Sequence, residues 1–85
     1  MTPQRYNSGV TDRFHIIDDG VVFELMREPE GGFTISVPAL PGCISFGRTV
    51  EESMEVIRDA IEGWLAVARE ERFPIPPQFE LARAS

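Results

Sequence analysis

The run from Val37 to Ser53, VPALPGCISFGRTVEES, leaves a chain few ways to fold. Pro38 and Pro41 have no N–H to donate, so a strand that reaches Val37 must leave its ladder there. Gly42 supplies a turn conformation that side chains disfavour. Cys43-Ile44-Ser45-Phe46 then reads as a short strand, closed by Gly47. Thr49 opens a helix with a capping box: its hydroxyl accepts from the Glu52 N–H, and the Glu52 carboxylate returns to the Thr49 N–H. Strand, proline turn, strand and helix therefore follow one another without space for a crossover connection.

The flanking sequence extends both ends of this pattern. Phe33, Ile35 and Val37 alternate with Thr34 and Ser36, the period-2 signature of a sheet with one buried face. Pro29-Glu30-Gly31-Gly32 reads as the turn before that strand, and Val21 to Glu28 as the strand before the turn. Asp18-Asp19-Gly20 marks a tighter turn, preceded by a short strand over Phe14–Ile17. On the other side, Val50, Met54, Ile57, Ile61, Trp64, Leu65 and Ala68 fall three and four apart, predicting a helix from 50 to about 71. Gly63 weakens it by roughly 1 kcal/mol relative to Ala, and its small size is expected to admit Trp64 or the sheet closely. Pro74-Ile75-Pro76-Pro77 stops the helix, and Phe79-Glu80-Leu81 is read as one last strand. The fold class is α+β: an antiparallel meander of three or four strands packed on one long helix.

Eighty-five residues make one domain, assigned to 13–82, with 1–12 as a flexible N-terminal arm. A chain of this size buries only about 60–65% of its unfolded surface, so self-association is expected. The net charge is −6 and every basic residue is Arg. Direct nucleic-acid binding is therefore not expected, because phosphates need clustered cations; a basic protein partner suits the charge better. The single cysteine, Cys43, excludes an internal disulfide. No run approaches the roughly 20 apolar residues of a membrane span, and the first residues lack a signal-peptide core. The expected location is the cytoplasm.

Four carboxylates, Glu51, Glu55, Asp59 and Glu62, share one stripe of the helix. Like charges so spaced cost an isolated helix a few tenths of a kcal/mol, which a basic partner would offset; the plain alternative is a solvated face. Asp12, Asp18 and Asp19 read as turn residues, His15 as a structural residue of an apolar-flanked strand, and Cys43 as a small buried hydrophobe. Ser45 and Ser53 have no nucleophile-elbow motif around them. Trp64, Phe73 and Phe79 are read as core, with an exposed aromatic patch as the alternative. No glycine pattern fits a phosphate-binding loop.

Over residues 21–77 the chain resembles the HicB-like antitoxin family. Gly32-Phe33 matches the opening of its second strand, Pro38, Leu40, Pro41, Gly42 and Cys43 its proline turn, Gly47, Thr49, Glu51 and Glu52 its helix start, and Pro74-Ile75-Pro76 the segment after the helix. Phe33, Pro38, Leu40, Pro41, Gly42, Gly47, Thr49, Glu52 and Pro76 are accordingly structural motif positions. Ala39 stands where the family often has Asp, and Ser53 where it has Ala. The resemblance implies a truncated ribonuclease-H-like fold and a homodimer or homotetramer. It also implies a non-enzymatic role without metal or cofactor: neutralising a HicA-type mRNA-cleaving toxin, a small basic protein, by direct binding. Glu51, Glu55, Asp59 and Glu62 are the candidate contacts. Many relatives carry a separate DNA-binding domain that is not expected in this chain. Two alternatives remain: an orphan structural or small-ligand-binding module, recognised by a metabolite pocket, and a divergent metal-dependent nuclease through Asp18, Asp19 or Glu24. Ribonuclease H chemistry requires several carboxylates converging on two metals, and the strands offer only Glu24 and Glu28.

Overall fold

Asp19 and Gly20 both sit at positive φ, 56° and 79°, the backbone of a two-residue hairpin turn whose twist matches that of its strands. In the computed structural model, which describes residues 12–84, this turn joins β1 (Arg13–Asp18) to β2 (Val21–Arg27). A longer turn leads to β3 (Phe33–Ser36), closed by Glu28 N donating to Gly32 O at 2.9 Å. The proline turn leads to β4 (Ile44–Gly47). The strands form one antiparallel sheet in sequence order, β1-β2-β3-β4, so the expected meander is present with four strands. Residues 1–11 of the expected arm lie outside the described residues.

The proline turn is a plug as well as a stop. Val37 N donates to Cys43 O, Leu40 N to Val37 O and Cys43 N to Leu40 O, so Val37, Leu40 and Cys43 keep their backbone polar groups paired through the turn. Gly42 takes φ +84°. Leu40 is driven fully into the core while Pro38 and Pro41 stay outside. With Phe23, Leu25, Ile35 and Val37 from one face of the sheet, it forms the floor of a single apolar cluster.

α1 (Val50–Glu71) covers that cluster, packing on β4 and β3 and burying Ser53, Ile57, Leu65 and Ala68. Its start is fixed by contact as well as by capping. A Cβ at Gly47 would lie 2.4 Å from Ser53 N, so only glycine lets the end of β4 touch the helix. Ser53, fully buried, donates its Oγ to Thr49 O at 2.8 Å. Glu52 N donates to Thr49 Oγ1 at 3.0 Å as expected, but the Glu52 carboxylate accepts from Arg48 N at 2.8 Å rather than from Thr49. The carboxylate arm of the box is thus displaced by one residue, to the N–H that precedes the cap.

The helix ends at Arg72, which adopts a left-handed conformation (φ 62°) while Phe73 N donates to Ala68 O. This is the usual C-terminal cap, with Arg in place of Gly. The prolines follow a stop that has already been made. After them the expected strand over Phe79–Leu81 is absent: Pro77–Ala84 is a second helix, α2. Proline is accepted in a first helical turn because its missing N–H would have had no partner there. Phe79 points into the core cluster, which anchors the segment as a helix rather than as a fifth strand.

A candidate partner-binding surface

The acidic stripe occupies the side of α1 turned away from the sheet. Glu51, Glu55, Asp59 and Glu62 are all exposed, and residues three and four apart on a helix are neighbours. Arg58, the cation within the stripe's own span, is turned aside: its guanidinium donates to Asp18 Oδ2 at 3.2 Å on the β1–β2 hairpin. Glu52 is engaged at the helix start. The helix thus presents carboxylates on its outer surface while spending its nearest cation elsewhere. Both ends of the Arg58–Asp18 pair are about half exposed, 57% and 53%, so it adds little stability.

The other acidic candidates do not gather. Asp12 contributes its backbone carbonyl to Arg27 N, Asp18 is paired with Arg58, and Asp19 is the left-handed residue of the hairpin. Glu24 pairs with Arg13 at 3.3 Å, and Glu28 accepts from the Thr34 hydroxyl. Among the described residues no three His, Cys, Asp or Glu side chains are grouped as metal ligands would be. His15 is exposed, opposite Glu24 in the β1–β2 register, on the outer sheet face and not in the core. Cys43 is buried, and desolvation pushes its thiol above the ordinary thiol range; it is the less reactive, protonated form at neutral pH. The aromatic candidates separate: Phe79 is buried, Trp64 is half-buried with Nε1 donating to Pro41 O at 2.9 Å, and Phe73 is exposed.

Two surfaces escaped the sequence. The outer face of the sheet carries exposed Ile17, Val22, Met26, Ile44 and Phe46. Beside β4 runs an apolar groove of about 660 Å³, walled by the proline turn, by Ala60, Gly63, Trp64 and Val67 of α1, and by Phe73-Pro74. Two of its walls, Trp64 and Phe73, belong to the aromatic patch weighed as an alternative in the sequence. Contrary to expectation, Gly63 does not admit Trp64 or the sheet closely: a Cβ there would meet nothing within 4 Å. Among the described residues no helix is long and apolar enough to cross a membrane.

Comparison with known proteins finds a family and several relatives. Residues 21–85 match the family described as HicB-like antitoxin of bacterial toxin–antitoxin systems. The chain is 31% identical over 52 residues to a UPF0150 protein of Thermoplasma acidophilum, covering 61% of this chain and 75% of that one. It is 38% identical over 47 residues to a UPF0150 protein of Synechocystis, covering 55% of this chain and 64% of the relative. A second Synechocystis UPF0150 protein is 37% identical over 54 residues, or 64% of this chain and 68% of that one. No solved structure matches the chain.

Proposed function

Because the chain belongs to the HicB-like antitoxin family of bacterial toxin–antitoxin systems, we propose that it neutralises a HicA-like, mRNA-cleaving toxin by direct protein binding in the cytoplasm. The observation that carries the reading is the acidic stripe, Glu51, Glu55, Asp59 and Glu62, exposed along α1 of a chain of net charge −6. A basic toxin that presents cations to RNA presents the same cations to this helix. Opposite fields speed the encounter and exclude acidic competitors. Binding there covers the toxin's RNA-contacting surface and needs no chemistry from this chain, which acts in stoichiometric amount.

The test is capture of partners by the tagged protein from its native cells, washed at low and then at high salt, beside the triple variant Glu51→Lys/Glu55→Lys/Asp59→Lys. The expected result is one small basic ribonuclease held in stoichiometric amount by the wild type, released by salt, and not held by the variant. Recovery of this chain alone, or equal recovery by the folded variant, contradicts the proposal.

A further inference from the structure

We propose that the groove beside β4 binds a small, neutral, flat aromatic molecule of about two or three rings with at most one polar group. Its volume of about 660 Å³ falls within the roughly 300–1,000 Å³ of small-molecule sites. Ile44, Val67 and Phe73 are each more than half exposed, and all three line it. Single exposed apolar residues are ordinary on a protein surface, whereas apolar residues that converge on one concavity mark a binding site.

The helix keeps the groove open. Its wall carries Ala60 and Gly63, two small residues. Gly63 lowers helix propensity, yet the fold does not require it, since a Cβ there meets nothing within 4 Å. A longer side chain at 63 would occupy the groove without displacing anything. The opposite walls are held in place: Trp64 Nε1 donates to Pro41 O at 2.9 Å, which ties the aromatic wall to the proline turn and presents a preformed site.

The chemistry of the walls sets the class of ligand. Among the described residues that line the groove none is charged. The indole N–H is already spent on Pro41, and the Cys43 thiol is held protonated by burial. Val37 N donates to Cys43 O, so by the alternation of an antiparallel ladder Ile44 turns its N–H and C=O to the open edge. That one backbone pair can meet one polar group of a ligand; a peptide would bring a polar group at every residue, and unpaired ones are costly to bury. Trp64 and Phe73 offer ring faces and edges for an aromatic body. Charge excludes anions. Asp59, Glu70 and Glu71, all exposed, lie three or four residues from Gly63 and Val67 and so border the helical wall. Only Arg72, beside Phe73, stands against them, in a chain of net charge −6. The site does not rest on the toxin reading.

Two dyes with one ring system test the site: neutral N-phenyl-1-naphthylamine and the anionic 8-anilinonaphthalene-1-sulfonate. Each is held at low concentration while the purified chain is titrated in and dye emission is followed. The neutral dye is expected to bind with a dissociation constant on the order of 10–100 μM, and the sulfonate at least about tenfold more weakly. Gly63→Leu, which fills the groove from the helix, is expected to weaken the neutral dye at least about tenfold while circular dichroism shows an equal or stronger helix signal. Phe73→Ala, which removes an exposed wall, is expected to weaken it as well. No emission rise by about 500 μM chain, with the groove bare or covered by a second copy or another protein, overturns the proposal. So does equal binding by the folded Gly63→Leu variant, which would put the dye on the outer sheet face, and so does sulfonate binding as tight as that of the neutral dye.

Discussion

Gly47 and Ser53 form the joint on which the rest of the domain turns. A methyl group at position 47 would strike the Ser53 backbone at 2.4 Å, and backbone cannot step aside as a side-chain tip can. Gly47→Ala is therefore expected to cost about 1–3 kcal/mol of unfolding free energy, as overpacking does, measured by urea denaturation. Thr49→Ala removes the acceptor for Glu52 N and should cost about 1 kcal/mol by the same method. Cys43 sets a pH dependence. Its folded pKa is raised by burial, so the folded state holds a proton that the unfolded chain releases above about pH 8.5. Stability is complete below that value and declines as pH rises from it toward the raised folded pKa. Cys43→Ala should flatten this alkaline decline in a series of denaturation curves; a decline unchanged by the substitution would assign it to another group.

At the scale of elements, α1 has three working sides: a core side through Ile57, Leu65 and Ala68, a flank over the groove, and the acidic outer stripe. Arg58→Ala removes a half-exposed pair with Asp18 and should change stability by no more than about 0.5 kcal/mol, a double-mutant cycle with Asp18→Ala giving the coupling. The long helix and the four strands were legible because a local period or turn residue marks each of them: alternation for Phe33–Val37, Asp19-Gly20 for the first hairpin, and three-and-four spacing for α1. α2 was not legible. Pro76-Pro77 and the alternating Phe79-Glu80-Leu81 point locally to a break and a strand, whereas the burial of Phe79 is a tertiary fact. The acidic stripe could be read because its members share one helix. The groove could not, since it exists only where the proline turn, α1 and Phe73-Pro74 converge from separate parts of the chain.

On the scale of the whole molecule, an acidic domain of net charge −6 displays two surfaces of different character. The charged one is proposed for a basic toxin. The charged contact lies in solvent, so added salt should weaken it steeply by screening. The central claim, neutralisation by binding, is tested most directly by following RNA cleavage by the captured toxin as this chain is added. The account predicts that cleavage falls linearly and stops when the two are present in stoichiometric amount, and that the Glu51→Lys/Glu55→Lys/Asp59→Lys variant leaves it running. Cleavage that continues undiminished in excess wild-type chain would contradict it.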